Sequence, residues 1–562
     1  MNRGFSLQDI DHYLNTCDAD ILDPSLIKNI HDGVVLFISH VHLGNKVFLQ
    51  IDSDCDGYTS AAAFLNYMNH LFPGYVQNNI IYRLHEGKQH GLIVETIPDD
   101  VKLVIALDSS SNDYAQHAQL KAKGIDVLVI DHHEADYESP NACVINNQLC
   151  DYPTKSLSGV GMVYKFCSYI DQLMGYKYAD KILDLVALGI IADVMQMKDF
   201  ETKRIIEKGL NSVSNPYFRS MTIKNAFSLG EGDLTPFGVA FYIAPYINAV
   251  TRCGTQEEKR TLFDSMLDFK AYEMIPSTKR GFQGKFEQRV EQACRNCTNI
   301  KNRQNRSRDS SLSVIENIIH SQDLLKNQIL IIKLPKENSI DSNLTGLVAT
   351  KIANEYQKPT LILNETYNEQ KELYWQGSGR IFSQSNFSTF KDFLEESGYF
   401  EYQAGHQGAF GAGILDRNIQ PFLEYSNTAL ANYDFSPKYY IDLIYDANLL
   451  SPADIFNLAS FDGIWGQGVE EPYVLVKNIK VTKENLSLLK GSTLKIVLPA
   501  DGHNISLIKF GSSQEEFDAL SAAGYVTIDV IGHFQRNVYN GSISPQISIE
   551  DYEIKNKMNY YF

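Results

Sequence analysis

The sequence predicts an α/β protein: a parallel-sheet domain joined by a long helical linker to a smaller α/β domain, then a small C-terminal β-barrel. Three observations predict it. Apolar strands alternate with helical stretches up to residue 275, and three of those strands run straight into an aspartate. A polar, helical stretch over 276–325 then interrupts the alternation. Beyond residue 430 the pattern changes to short alternating strands. These shifts set the expected parts at 1–275, 276–325, 326–430 and 431–562.

In the first part, the run Val47-Phe48-Leu49-Gln50-Ile51 reads as a buried strand and delivers Asp52-Ser53-Asp54-Cys55-Asp56-Gly57. Lys102-Leu103-Val104-Ile105-Ala106-Leu107 delivers Asp108, and Val127-Leu128-Val129-Ile130 delivers Asp131-His132-His133. A helical run, Leu183–Ala192, delivers Asp193. Groups at the carboxyl ends of neighbouring parallel strands converge on one crevice, where open α/β sheets place their sites. The linker carries Lys279, Arg280, Lys285, Arg289, Arg295, Lys301, Arg303, Arg306 and Arg308 against only Glu287 and Glu291, with a Ser/Asn/Arg-rich break expected near Asn302–Ser313. The smaller α/β part holds strand Ile329–Ile332, helix Leu347–Tyr356 and strand Thr360–Leu363. It ends in two glycine-rich passages expected as loops, Gly377-Ser378-Gly379-Arg380 and Ala404-Gly405-His406-Gln407-Gly408-Ala409. Thr493–Leu498, Asn504–Phe510 and Tyr525–Ile531 read as barrel strands.

At 562 residues the chain exceeds what one core can serve. An apolar fraction of 44% with 21% charged residues is ordinary for a soluble globular protein. No apolar run reaches the length of a membrane span, and the opening Met1–Phe5 lacks a hydrophobic signal segment, so the cytoplasm is the expected location. The eight cysteines follow no framework spacing, and the pair Cys294–Cys297 lacks the partners of a zinc site. Reduced thiols suit the cytosol. The net charge of −18, from 50 basic and 68 acidic residues, excludes a protein that coats nucleic acid with its whole surface. A local basic channel remains compatible with it.

Three carboxylates at alternate positions repel one another unless a cation sits among them. Calcium in an EF-hand loop is excluded: that loop closes with a bidentate Glu at its twelfth position, where this chain has Ala63, and a strand rather than a helix precedes it. Asp52, Asp54, Asp56, Asp108, His132 and Asp193 form an oxygen-rich set with one imidazole and no thiolate, which suits Mn²⁺ or Mg²⁺. Two ions bridged by one carboxylate, naturally Asp108, would stabilise both oxygens of an in-line phosphoryl displacement. Asp131, His132 and His133 are the catalytic candidates, with Asp131 expected to orient His132 and His133 to contact phosphate. Arg252 and Arg280 offer cationic forks, and the two glycine passages offer backbone amides to an anion. A lone Asp at a strand end is more often a helix cap, so the weight rests on the ensemble.

Together these residues resemble the DHH phosphoesterases, and within them the RecJ branch, over nearly the whole chain. The resemblance rests on Asp52–Gly57, Asp108, Asp131-His132-His133 and Leu183–Asp193. Arg83–Leu92 with Glu86-Gly87, Ser158-Gly159-Val160-Gly161, Pro245–Arg252, Trp465-Gly466-Gln467-Gly468 and Gln535-Arg536-Asn537 add to it. It implies a DHH catalytic domain, a DHH-associated domain and an oligonucleotide-binding (OB) barrel. The implied activity is a Mn²⁺- or Mg²⁺-dependent exonuclease of DNA repair and recombination, degrading single-stranded DNA from the 5′ end to mononucleotides. Carried over by residue, Asp54 and Asp108, with Asp52, would hold one ion, and Asp56, Asp108, His132 and Asp193 the other. Arg252, Arg280, Ser378, Gly379, Arg380, Gly405 and His406 would contact substrate phosphate in a groove that passes one strand but not a duplex. The implied partners are single-stranded DNA and a single-strand-binding protein or helicase, with no membrane, and the chain is expected as a monomer.

Three positions depart from the family pattern. Gln50 stands where many relatives have a His, so the first ion is expected to lean on Asp52. Ala404-Gly405-His406 replaces Gly-Gly-His, and Val250-Thr251 replaces a small Ala-Gly pair. Such drift fits a divergent copy borne by a phage or prophage. A phosphodiesterase for short oligonucleotides or cyclic dinucleotides would not need the barrel, and an inactive scaffold would not keep the complete acid and histidine set.

Overall fold

Five parallel strands make the first sheet: β1 (Lys46–Ile51), β2 (Ile80–Leu84), β3 (Val101–Leu107), β4 (Asp126–Asp131) and β5 (Cys143–Asn146), in the order β2-β1-β3-β4-β5. The computed structural model describes residues 3–86, 89–230, 234–500, 502–522, 524–539 and 541–558; Gly87 of the Glu86-Gly87 passage lies outside them. The strands are apolar on both sides because both faces are covered. Phe48, Val104, Ala106, Val127 and Val129 pack on one face with Leu120. Helices Ile30–His42, Cys55–Leu71 and Gly159–Met174 cover the other. After β2 the chain returns to the far side of β1, so the switch point of the sheet lies between the carboxyl ends of β1 and β3. Asp52 and Asp108 follow those two ends directly.

The chain divides into two compact units, one formed by 1–298 with 441–562 and the other by 299–440. A small ribbon, β6 (Met274–Pro276) with β7 (Phe286–Gln288), precedes a helix over Arg289–Ser321. The break expected near Asn302–Ser313 does not exist. Ala293, Cys297, Ile300 and Gln304 are buried at helical spacing before the polar middle, and Leu312, Ile315 and Ile319 after it, so both ends of the helix are anchored by packing.

The second unit is built on a mixed sheet of β8 (Leu330–Leu334), β9 (Thr360–Tyr367), β10 (Leu373–Arg380), β11 (Phe400–His406) and β12 (Ala409–Leu415), ordered β11-β12-β10-β9-β8. Helix Ser342–Tyr356 packs on one face with Ile332, Leu334 and Ile362. Phe390, Leu394 and Phe422 pack on the other with Leu361, Trp375 and Phe410. The C-terminal module has seven strands: β13 (Ile441–Asp446), β14 (Tyr473–Val481), β15 (Leu486–Leu489), β16 (Thr493–Ala500), β17 (His503–Phe510), β18 (Tyr525–Tyr539) and β19 (Ser542–Met558). They are ordered β13-β14-β18-β19-β17-β16-β15 around a core of Val476, Ile479, Leu494, Leu507, Ile528 and Ile547. Among the described residues no helix is long and apolar enough to cross a membrane.

Candidate metal centre

The three acids after β1 divide their work by position. Asp54 caps helix Cys55–Leu71, accepting the Gly57 N–H on Oδ1 at 3.0 Å, so a strong local interaction fixes the turn. Asp56 lies in the first helical turn and faces the start of helix Gly159–Met174. There Gly159 N–H donates to its Oδ2 at 2.6 Å, and Ser158 Oγ and Val160 N–H donate to its Oδ1 at 2.9 and 3.2 Å. A helix N-terminus is a natural seat for a carboxylate. Gly57 and Gly159 explain themselves by contact: a Cβ on Gly57 would meet Asp52 Cβ at 2.7 Å, and one on Gly159 would meet Asp108 Oδ1 at 2.4 Å.

Asp108 leaves β3 in the left-handed region at φ +62°, and its N–H donates to Ile130 O at 2.9 Å. Asp193 ends helix Leu183–Ala192, and Val194 after it is also left-handed at φ +59°. His132 joins the sets. Its Nε2 lies 3.2 Å from Asp108 Oδ1, 3.4 Å from Asp193 Oδ2 and 3.9 Å from Asp56 Oδ2. One ligand atom each from Asp56, His132 and Asp193, and one each from Asp52, Asp54 and Asp108, lie within 4.8 Å of one another. Asp108 also groups with Asp131, His132 and His133. Asp131, however, spends its oxygens on hydrogen bonds: Oδ1 accepts from the N–H of His132 at 2.7 Å and from His133 Nδ1 at 2.8 Å, and Oδ2 accepts from Ser111 N–H at 3.0 Å. The ring it orients is that of His133, not that of His132 as the sequence suggests.

Electrostatics support a cation here. Asp108 Oδ1 and His132 Nε2 are buried and have no hydrogen-bond partner. Burial, then the charges of Asp56 and Asp54, push the Asp108 carboxyl well above its ordinary value. Burial raises Asp56 as well, and carries Asp193 up to about 8 with Asp56 and Asp54 adding to it. Burial lowers His132, keeping the imidazole neutral as a ligand nitrogen must be. His133 differs: the Asp131 hydrogen bond raises it to about 9, and its side chain is 48% exposed. Burial alone would raise Asp131, yet the His133 hydrogen bond and the charges of His133 and His132 hold it below the usual carboxylate range. Carboxylates with one neutral imidazole are a donor set for Mn²⁺ or Mg²⁺.

Sequence reasoning missed His85, His90 and Asn248. Asp52 accepts His90 Nδ1 at 2.9 and 3.0 Å, and His85 Nε2 lies 3.7 Å from its Oδ1. His85 is buried with Nε2 unpartnered, and burial, with the nearby Arg83 and His90 charges, lowers it to about 4. Gln50 Nε2 donates to Arg83 O at 3.1 Å and lies 3.4 Å from His85 Nδ1. His85 follows β2 directly, so the strand-end pattern that marks the aspartates would have marked it too. Asn248 Oδ1 accepts Cys55 N–H at 3.1 Å, which sets helix Ala244–Cys253 against the acid loop, and Arg252 is one turn further on the same face.

The other phosphate candidates are distributed. Arg280 lies exposed on the turn between β6 and β7. In the second unit the first expected glycine loop is a strand, and the second is a hairpin whose turn is Gln407-Gly408 between β11 and β12. Gly377–Arg380 is the end of β10 and pairs with both β9 and β12, so the sheet occupies the backbone that an anion was expected to reach. Gly379 faces the Phe410 ring. Gly405, at φ +126°, bends β11 just before His406. Arg380 and His406 both pair with Ala409, and Ser378 lies two residues before Arg380, so Ser378, Arg380 and His406 share one face. Ser378 Oγ is 2.8 Å from Thr345 Oγ1, and Arg380 extends over Gly346.

One further contact ties the C-terminal module to the centre. Met197 N–H, four residues beyond Asp193, donates to Gln467 O at 2.8 Å. A Cβ on Gly466 would meet Met197 Sδ at 2.1 Å, and one on Gly468 would meet Gln196 Oε1 at 1.9 Å. Arg3 donates to both Asp442 carboxylate oxygens at 2.6 and 2.9 Å, clamping the same interface.

Residues 46–190 match the family described as "DHH family, N-terminal domain", and residues 441–551 match the "RecJ OB domain". A protein of Bacillus subtilis (strain 168), "Putative SPbeta prophage-derived single-strand DNA-specific exonuclease YorK", is 34% identical over 557 residues, covering 98% of this chain and 95% of that protein. "Single-stranded-DNA-specific exonuclease RecJ" of the same organism is 24% identical over 567 residues, covering 98% of this chain and 67% of that one. The crystal structure of RecJ in complex with Mn²⁺ from Thermus thermophilus superposes with a TM-score of 0.69 at 18% identity, over 96% of this chain and 74% of that chain. A Mg²⁺ complex of the same protein superposes at 0.63. That structural likeness speaks for the fold, whereas 34% identity across nearly both full lengths speaks for descent. The chain therefore belongs to the DHH family, in its RecJ-like branch.

Proposed function

We propose that this chain is a Mn²⁺- or Mg²⁺-dependent exonuclease that hydrolyses the phosphodiester bonds of single-stranded DNA in the 5′-to-3′ direction. The observation that carries the reading is the pair Asp108 Oδ1 and His132 Nε2, 3.2 Å apart, buried and unpartnered inside a ring of aspartates. Such a set stores repulsion unless cations neutralise it. The names of YorK and RecJ supply the substrate class.

Asp54 and Asp108, with Asp52, would hold one ion, and Asp56, Asp108, His132 and Asp193 the other. Bound there, two such ions supply Lewis-acid activation of water and neutralise charge on the phosphate. The protein's own groups do the rest. Ser158, Gly159 and Val160 fix the Asp56 carboxylate before any substrate arrives. Asp131 holds His133 in one orientation and keeps it cationic at neutral pH, where its exposed ring can meet a phosphate oxygen or hand a proton to the leaving oxygen. Arg252, on the helix anchored by Asn248, offers a guanidinium fork on the same side. Ser378, Arg380 and His406 form a polar face suited to phosphate in the second unit, through side chains rather than amides. The seven-stranded module would bind the strand.

Strands labelled at either end test this reading. With Mn²⁺, the 5′-labelled strand should release its label as mononucleotide from the first turnovers, the 3′-labelled strand should release it last, and duplex should persist. No nucleotide release from either strand would overturn the reading; early 3′ release would overturn its direction.

A further inference from the structure

The ribbon between residues 274 and 288 carries none of the clustered acids and histidines, and its tip, where Arg280 lies, is a built structure. β6 and β7 pair antiparallel, Met274 with Gln288 and Pro276 with Phe286, and Ser277 N–H donates to Lys285 O at 2.9 Å to close the base. Two turns then follow each other. Phe282 N–H donates to Lys279 O, and Lys285 N–H to Phe282 O, each at 3.0 Å. Each turn has glycine at its third position, Gly281 at φ +80° and Gly284 at φ +78°, as a type II turn demands. Because the turns share Phe282, Lys279, Phe282 and Lys285 fall at a spacing of three. Their ammonium groups lie 4.5 and 4.8 Å from the Phe282 ring centroid. The negative face of the ring offsets the repulsion of the two cations, and Arg280 sits exposed at the second position of the first turn.

The nearby acids are engaged at the base. Glu287 accepts both terminal nitrogens of Arg295, and Glu273 accepts Arg289 at 2.5 Å. Among the described residues Lys279, Arg280 and Lys285 enter no ion pair, in a chain whose formal net charge is −18. Phe282 and Phe286 are 37% and 61% exposed beside them. Unpaired cations on a preorganised tip favour a polyanion, and exposed rings favour one whose base faces are free to stack. A duplex hides those faces.

We propose that the Lys279–Lys285 tip acts as a unit, Lys279 and Lys285 together with Arg280 and Phe282, as a strand-binding element that grips the backbone of single-stranded DNA without reading its sequence. The choice of DNA rests on the exonuclease reading above. The test uses the full chain in EDTA, where binding proceeds without hydrolysis, and a fluorescent oligothymidylate titrated by anisotropy at several salt concentrations. The triple variant Lys279→Gln, Arg280→Gln, Lys285→Gln should bind about tenfold more weakly at low salt, and its log-affinity against log-salt slope should flatten by about 2. Phe282→Ala should weaken binding by about fivefold. Melting temperatures should stay at the unsubstituted value, since the tip serves no core. Retention of both affinity and slope by the triple variant, beside a chain that binds normally, overturns the hairpin assignment and leaves the exonuclease reading standing. A chain that binds no oligonucleotide at all overturns both.

Discussion

Asp108 concentrates the tension of the centre in one side chain. It is buried, left-handed, pressed against Gly159 and surrounded by Asp52, Asp54, Asp56 and Asp193, with its Oδ1 3.2 Å from His132 Nε2 and without a hydrogen-bond partner. Removing its charge should therefore have opposite effects on two measurements. Asp108→Asn should cut hydrolysis of single-stranded DNA by about a hundredfold or more, because both ion sites lose their shared ligand. The same variant should melt a few degrees higher than the unsubstituted chain in EDTA at alkaline pH, where the buried Asp108 carboxyl is forced to ionise beside Asp56 and Asp54. Scanning fluorimetry with and without Mn²⁺ checks this; a lower melting point in EDTA would mean that Asp108 serves the fold rather than the ion. The acids at strand ends were legible from pattern alone. The rings of His85 and His90 against Asp52 were not, since their partner is set by the pairing of β2 with β1.

At the scale of elements, helix Leu183–Ala192 ends in a turn closed by Val194 N–H to Ile191 O and Met195 N–H to Ile190 O, both at 3.2 Å. A glycine usually takes the left-handed position of such a turn. Here it is the β-branched Val194, at a cost of about 1–2 kcal/mol. The Gly466–Gly468 passage of the C-terminal module braces the residues that follow and so holds Asp193 in place. Gly468→Val, which would strike Gln196, should weaken Mn²⁺ binding by about tenfold in an electron-paramagnetic-resonance titration. Adding Val194→Gly should recover much of that loss by relieving the strained turn. If the double variant binds no better than the single one, the brace acts only on general stability. The tight glycines of Trp465-Gly466-Gln467-Gly468 were visible in the sequence, but not what they touch.

Across the whole molecule, the metal-free centre makes stability depend on pH. Burial and mutual repulsion raise Asp52, Asp56, Asp108 and Asp193 in the folded chain, Asp193 to about 8. A carboxyl raised on folding contributes its full stability while protonated, below its unfolded pKa. It loses that stability as pH rises through the folded value. In EDTA the melting temperature should therefore fall from the ordinary carboxylate range towards pH 8, and Asp193→Asn should flatten the upper part of that fall. Saturating Mn²⁺ should reverse the trend, adding about 3 kcal/mol at a hundredfold excess over Kd. A metal-free chain whose stability climbs steadily to pH 8 would show that these acids ionise without strain.

The sequence by itself determined the α/β class, the switch-point crevice and the acids that face it, because strand periodicity and strand ends are local properties that a parallel sheet converts into one convergent site. It also determined the family, through Asp52–Gly57, Asp108 and Asp131-His132-His133 in order. Only the tertiary structure decided which atom each group meets. Gly377–Arg380 became a central strand because β9 and β12 pair with it on both sides, and composition favouring a loop could not show that. The helix through Asn302–Ser313 survives its polar content because buried side chains anchor it on both sides, up to Gln304 and from Leu312 onward. Asp131 orients His133, Asn248 anchors the Arg252 helix, and Gln467 braces the Asp193 turn through contacts between segments far apart in the chain. Pattern fixes an element and its end; packing over long range chooses its partners.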